Sequence, residues 1–157
     1  ARTMDSPFNT GNKMGFGGVG EQNISDLNMS PQAAQAHAIH WRNRYNFEGQ
    51  TWLRKRNIVD GINDQGVYAA YLYLPDFTQY PVYTPPQDND KKLLGEADVV
   101  NYVLGTAKNV QQAVNELKQV KIVGSANEAN IQKDGMHLFM AAPTHVIIRD
   151  RSGDAAV

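Results

Sequence analysis

Four histidines are the residues of this 157-residue sequence whose type could support metal chemistry. His37 and His40 lie three residues apart, a spacing that would place them on opposite faces of a strand, and His137 and His145 lie far downstream. No helical His-Glu-x-x-His pattern accompanies them. We therefore predict no metal and no cofactor, and we interpret the histidines as strand residues bonded to neighbouring backbone.

Glycines at positions 15, 17 and 20 have the Gly-x-Gly-x-x-Gly spacing of a dinucleotide-binding loop. That motif binds a pyrophosphate only when a strand precedes it and a helix N-terminus follows it. The surrounding residues are rich in Gly and Asn and predict no such unit. We favour a flexible loop over a nucleotide site.

Arg2, Asp5 and Tyr73 are the remaining candidates for chemistry. By themselves, Arg2 and Asp5 could form a surface ion pair of little energetic value. Tyr73 lies near the end of an apolar run, where either the core or the rim of a pocket would suit it, since a buried hydroxyl needs a partner. The 157 residues include no cysteine, and hence no disulfide, thiolate ligand or thiol nucleophile.

The composition is that of an ordinary globular domain, with 41% hydrophobic and 20% charged residues. The 15 basic and 16 acidic residues give a net charge of −1, so neither nucleic acid nor an anionic membrane is predicted as a partner. The length predicts a single domain spanning residues 1–157. The absence of cysteine is compatible with either the cytoplasm or the periplasm of a bacterium.

A central hairpin over residues 58–75 is the element most clearly predicted to position the candidates. Asn63-Asp64-Gln65-Gly66 has the composition of a tight turn. Residues 67–74 form a nearly unbroken apolar and aromatic run, typical of a strand that is covered on both faces.

Helices and further strands are predicted around this hairpin. One helix is predicted over residues 96–107, and Asn109 is expected to cap a second one. Further strands are predicted at 36–41, 47–53, 121–123, 137–142, 145–149 and 154–157. Loops are predicted at 76–92 and 124–135, and a long loop region that can include one short strand at 6–35. The order of strands, two helices and strands indicates an α+β fold or a layered sandwich.

Several short motifs, taken in order, resemble those of the choloylglycine hydrolase family, the linear amide C–N hydrolases that include penicillin V acylases and bile salt hydrolases. The strongest is Asp-Gly-Ile-Asn-Asp-Gln-Gly-Val at 60–67, similar to the family's Asp-Gly-x-Asn-Glu-x-Gly-Leu turn. The other segments are 1–5 (Ala-Arg-Thr-Met-Asp), 41–45, 72–75, 100–104, 109–114, 144–150 and 152–157. Their order along the whole chain makes the set more specific than any one motif.

The resemblance implies an αββα four-layer sandwich of the N-terminal-nucleophile (Ntn) hydrolase class. In that family an N-terminal Cys is the nucleophile and its own α-amine is the base. Arg2 matches the arginine that favours the ionised thiolate, and Asp5 matches the aspartate that orients the α-amine. Tyr73 matches the residue whose backbone N–H helps to form the oxyanion hole and whose side chain lines the substrate pocket.

The resemblance predicts hydrolysis of a small-molecule acyl amide, with an aromatic Tyr73 favouring a penicillin V acylase-like substrate. Because the 157 residues lack the nucleophile, we expect this chain to be an internal piece of a longer enzyme, truncated at both ends, and inactive alone. The family's members commonly form homotetramers, so a homo-oligomer is expected. Three alternatives stay open: a bile salt hydrolase, a non-catalytic homologue that acts as a binding protein, and a small domain that was never part of an enzyme.

Overall fold

Ten strands, three α-helices and one 3-10 turn form the described part of the protein. The computed structural model describes residues 13–27, 31–51, 57–74, 76–81, 91–124 and 143–157. The strands are β1 (Met14–Gly17), β2 (Gln22–Ile24), β3 (His40–Arg42), β4 (Phe47–Thr51), β5 (Ile58–Asn63), β6 (Tyr68–Tyr73), β7 (Lys92–Gly95), β8 (Val120–Val123), β9 (Thr144–Arg149) and β10 (Ala155–Ala156). The helices are α1 (Pro31–His37), α2 (Val99–Thr106) and α3 (Val110–Lys118), with the 3-10 turn at Glu96–Asp98.

A six-stranded antiparallel sheet dominates the fold, in the order β1-β4-β5-β6-β9-β10. Strands β2 and β3 form an antiparallel pair, and β7 and β8 form a parallel pair. The predicted α+β class is confirmed. Helices α2 and α3 both pack against the large sheet, so its core lies on that face.

The predicted central hairpin is confirmed as β5 and β6, which pair antiparallel with Gly61 opposite Ala69. Gly66 closes the turn with a φ of 82°, a conformation that glycine adopts without a steric penalty. Strand β6 lies inside the sheet between β5 and β9, as its apolar sequence indicates. The first arm of the hairpin, β5, begins at Ile58.

Asn63 explains why the turn motif has the composition it has. Its buried side chain donates to the carbonyls of Leu104 and Ala107, at 2.9 and 2.7 Å, and accepts from the backbone N–H of Gln65 and Val67, at 3.1 and 2.9 Å. The hairpin is thereby tied to the carboxyl end of α2. The asparagine of this motif is a structural residue.

The two predicted helices are confirmed with small changes at their ends. The first predicted helix divides into the 3-10 turn and α2, and seven of the eight residues of α2 are buried. Asn109 caps α3 by accepting a hydrogen bond from the Gln112 N–H at 2.8 Å, as predicted. Asp150 adds a second bond at this end, since its carboxylate accepts from the Val110 N–H at 2.8 Å.

Residues 6–35 are more ordered than the predicted long loop, because β1, β2 and most of α1 lie within them. Gly15 and Gly17 are in β1, and a side chain at Gly17 would collide with the ring of Phe47. These glycines permit close packing of neighbouring strands, and the flexible-loop interpretation is wrong for residues 15–17, whereas residues 18–20 leave the strand and enter a turn. The predicted strand at 36–41 is wrong over most of its length, since α1 ends at His37 and β3 begins at His40.

Strand β7 has no counterpart in the sequence prediction, which ended a loop at residue 92 and began a helix at residue 96. It pairs in parallel with β8, which includes the predicted 121–123 strand. Strand β9 confirms the prediction for 145–149, and the returning strand β10 confirms the prediction for 154–157. Strand β4, which is predicted over 47–53, ends at Thr51. The predicted strand at 137–142 lies outside the described residues.

Candidate functional site

Tyr73 is the one predicted site residue that lies in the described part of the chain, since Arg2 and Asp5 fall outside it. It is the last residue of β6, and 66% of its surface is exposed. The structure therefore places Tyr73 on the surface, which excludes a position in the core for this side chain. The site roles of Arg2 and Asp5 stay predictions.

The register of the sheet fixes the direction of the Tyr73 backbone N–H. The neighbouring Leu74 N–H donates to the carbonyl of Pro143 at 2.7 Å, on the side of β9. Because successive N–H groups of a strand point to opposite sides, the Tyr73 N–H points away from β9, toward the side on which β5 lies.

On that side, the pairing between β5 and β6 ends with Asp60 opposite Ala70. Before Asp60, β5 continues to Ile58 through an irregularity in its pairing with β4, and the Ile58 N–H donates to the side-chain oxygen of Asn101 at 2.7 Å. The end of β6 therefore extends past its ladder with β5. A backbone N–H at this place is suited to bind a carbonyl oxygen that is becoming negative.

The side chain of Tyr80 contacts strand β9 at the residue opposite Tyr73. Its hydroxyl lies 3.1 Å from the carbonyl oxygen of Thr144 and 3.3 Å from that residue's hydroxyl. Thr144 is the residue directly opposite Tyr73 on β9, so the two side chains share one face of the sheet. Burial raises the pKa of Tyr80, so its hydroxyl stays protonated at neutral pH.

A groove of about 380 Å³ runs along this face from Tyr80 and Thr144. Its walls are mostly apolar, and the lining does not include Tyr73. The other lining residues are Tyr71, Glu96, Val99, Val114, Leu117, Lys118, Ile122, His145, Val146, Ile148, Ala156 and Val157. Among the described residues that line the groove there is neither a Cys nor a Ser to act as nucleophile.

Tyr71, two residues before Tyr73, has a structural role. Its buried hydroxyl donates to the Glu96 carbonyl at 2.5 Å and accepts from the Val100 N–H at 3.3 Å, at the start of α2. Burial raises its pKa far above the usual value, so the phenol stays neutral. Of the two tyrosines on this face of β6, Tyr73 is the one available to a ligand.

A buried carboxylate network, which the sequence did not indicate, supports the segment before α2. Asp98 accepts hydrogen bonds from the Ser25 hydroxyl, the Asp26 N–H and the Asn57 side chain, at 2.8, 2.8 and 2.7 Å. Burial raises the pKa of Asp98, while all three of these bonds oppose the shift. The network joins three segments of the chain, and none of its residues lines the groove.

The histidines form no cluster in the described residues, which contain no group of three or more metal-ligating side chains. His37 and His40 belong to a helix end and to a strand, so they are not on opposite faces of one strand. The buried Nδ1 of His145 has no hydrogen-bond partner within the described ranges, so the prediction that the histidines bond to neighbouring backbone is wrong for that atom.

The sequence as a whole, residues 1–157, matches the family of linear amide C–N hydrolases known as the choloylglycine hydrolases. The chain belongs to this family. The resemblance drawn from the ordered motifs is therefore confirmed.

Solved structures of this fold match the chain over nearly its whole length. Penicillin V acylase from Agrobacterium tumefaciens matches with a TM-score of 0.71 and 22% identity, over 98% of this chain and 40% of that protein. A single-residue variant of conjugated bile acid hydrolase from Clostridium perfringens matches with a TM-score of 0.69 and 17% identity, over 94% and 40%. The chain thus spans about two-fifths of these proteins' length, and the Ntn-hydrolase fold is confirmed.

Among the described residues, none of the helices has both the length and the apolar character needed to cross a bilayer.

Proposed function

We propose that the protein to which this chain belongs hydrolyses a linear amide bond through an N-terminal Cys that precedes residue 1. The observation that carries the proposal is the end of β6, where the N–H of the exposed Tyr73 points away from β9 and lies beyond the last residue pair of the β5–β6 ladder. The sequence match to a family of linear amide hydrolases over residues 1–157 supports the same reaction class.

In the proposed mechanism, the thiolate attacks the carbonyl carbon of the amide and the carbonyl oxygen becomes an oxyanion. The Tyr73 N–H donates a hydrogen bond to this oxygen. The α-amine of the Cys takes the thiol proton and returns it to the leaving amine, which departs. Water then hydrolyses the thioester, which releases the carboxylic acid and restores the thiol.

Arg2 and Asp5 complete the proposal. A fixed guanidinium charge at Arg2 would lower the pKa of the thiol and raise its thiolate fraction. The carboxylate of Asp5 would accept a hydrogen bond from the α-amine and keep the amine directed at the thiol. Both roles come from the family motif at residues 1–5.

The proposed substrate is an acyl amide of the penicillin V type, because an aromatic side chain at position 73 suits an aromatic acyl group. The experiment is to measure amine release by the purified full-length protein from a phenoxyacetyl amide and from a conjugated bile acid. Preferred cleavage of the phenoxyacetyl amide is the expected result. Preferred cleavage of the bile acid amide would overturn the proposed substrate class. Release of neither amine would favour a binding protein.

A further inference from the structure

Three exposed apolar side chains, at positions 73, 74 and 77, lie at or just after the end of β6, with Leu74 on the face of the strand opposite Tyr73. Tyr73 is 66% exposed, Leu74 40% and Phe77 79%. Single exposed apolar residues are common on protein surfaces, but a group of them frequently marks a binding site. This group contains the residue whose backbone N–H is proposed to bind the substrate's carbonyl oxygen.

The turn that carries Phe77 is held against the sheet at two points. The Thr78 hydroxyl donates to the Leu74 carbonyl at 3.2 Å, which closes the turn around Phe77. The Tyr80 hydroxyl then bonds to Thr144, opposite Tyr73. Phe77 is therefore presented by an anchored turn and stays near the end of β6.

Asp76 adds a further sign that this turn has a function. Its φ is 70°, in the left-handed region, and it is the one non-glycine residue of the described chain with a positive φ. Such a conformation costs free energy, and residues that adopt it are enriched at ligand sites. The strained residue lies directly before Phe77, the most exposed of the three apolar side chains.

We propose that Phe77 is a second aromatic contact for the acyl group of the substrate, on the side of the site that Tyr73 begins. This inference rests on the proposed function, which places the acyl carbonyl at the Tyr73 N–H. The chain from residue 73 to 77 can extend no more than about 14 Å, so both aromatic residues lie within reach of one ligand. Two aromatic rings favour an aryl acyl group over a straight aliphatic chain, because ring pairs gain energy beyond simple burial.

The substitution Phe77→Ala in the full-length protein tests this inference, with Phe77→Tyr as the conservative variant. Phe16→Ala is the matched control, since Phe16 is 78% exposed and lies on the edge strand β1, three strands from β6. The substrates are a phenoxyacetyl amide and the acetyl amide of the same amine. We expect Phe77→Ala to lower kcat/KM for the phenoxyacetyl amide roughly 10-fold, mainly through KM, and to leave the acetyl amide unchanged.

Phe77→Tyr and Phe16→Ala should both retain the preference for the phenoxyacetyl amide. If the unmodified protein is active and Phe77→Ala behaves as Phe16→Ala does on both substrates, this inference is overturned while the proposed function stands. An equal loss on both substrates would also overturn it, because the acetyl group cannot reach Phe77.

If the unmodified protein cleaves neither amide, the proposed function fails, and binding of phenoxyacetate measured by calorimetry decides the inference separately. Binding that weakens about 10-fold in Phe77→Ala and is unchanged in Phe16→Ala would support the aromatic contact. Absence of binding to the unmodified protein, or equal affinity in the two variants, would overturn it.

Discussion

The backbone N–H of Leu74 donates to the carbonyl of Pro143 at 2.7 Å, and this bond determines what the neighbouring Tyr73 can do. The alternation of N–H directions along β6 points the Tyr73 donor away from β9. A donor that the β6–β9 ladder does not use can be offered to a substrate at no cost in sheet stability. The catalytic proposal therefore depends on the backbone of Tyr73 more than on its side chain.

Replacing Tyr73 by Pro removes this N–H, and we expect kcat of the full-length enzyme to fall roughly 100- to 1,000-fold. Tyr73→Asn retains the donor and should keep kcat for small acyl groups. Leu74→Pro is the matched control, because it removes a donor that the ladder uses. It should lower the unfolding temperature, whereas Tyr73→Pro should leave it nearly unchanged. Equal kcat values for Tyr73→Pro and Tyr73→Asn would remove the backbone donor from the mechanism.

Replacing Arg2 by Leu should move the pH profile of kcat/KM. Without the guanidinium charge the pKa of the proposed nucleophilic thiol rises, so the acid limb of the profile shifts to higher pH. Arg2→Lys keeps a positive charge and should shift the limb less. A profile that is the same for all three proteins would contradict the electrostatic role of Arg2.

Asn63→Ala should destabilise the protein without touching the site. The substitution leaves the buried carbonyls of Leu104 and Ala107 and the Val67 N–H without their partner, at a cost of roughly 3 kcal/mol in the free energy of unfolding. Denaturant unfolding of the full-length protein measures it. Gln65→Ala, at an exposed position of the same turn, should cost less than about 0.5 kcal/mol. Comparable losses in the two variants would show that the Asn63 bonds are not what holds the turn.

Asp98 makes the free energy of unfolding depend on pH in a direction that its pKa shift determines. Its pKa is raised in the folded protein, mainly by burial, so the folded state holds the proton more tightly than the unfolded state does. Stability from this group is therefore fully present below its unfolded value of 3.8 and is lost as the pH rises through the folded pKa. Compared with Asp98→Ala, the unmodified protein should gain free energy of unfolding as the pH falls from neutral toward about 4.

Two unfolding series, one for each protein across that pH range, measure this difference. Asp98→Ala should be less stable throughout, because it leaves the Ser25 hydroxyl and the Asp26 N–H without their acceptor. A difference that shrinks as the pH falls would contradict the raised pKa.

The sequence predicts the central hairpin and the cap of α3 because both are determined locally. Gly66 supplies a positive φ where the turn requires one, and Asn109 lies three residues before the N–H it accepts from. Such signals need no knowledge of the rest of the fold.

Features that depend on distant residues were missed. Strands β7 and β8 are short, and their parallel pairing joins segments on either side of two helices. The Ser25–Asp98 bond joins residues 73 positions apart. Helix α1 has a local signal, since Pro31 opens it and Ala and Gln follow, although the prediction places residues 31–35 in a loop and residues 36–37 in a strand. Strand β1 is not predicted because it contains glycines, and only the structure shows that close packing against Phe47 requires them.

For the site, the sequence indicates Tyr73 only through the family resemblance, and the register of β6 and β9 adds the physical reason. Phe77 carries no sequence signal of its own. Its exposure and the backbone of Asp76 become visible only in the structure.

The most direct test of the central claim is the N-terminal sequence and intact mass of the protein purified from its native source. The account predicts a longer chain whose first residue is Cys, with Arg2 and Asp5 downstream of it. A mature protein whose first residue is any other amino acid would contradict the proposed hydrolase mechanism and leave a binding protein as the better explanation of the fold.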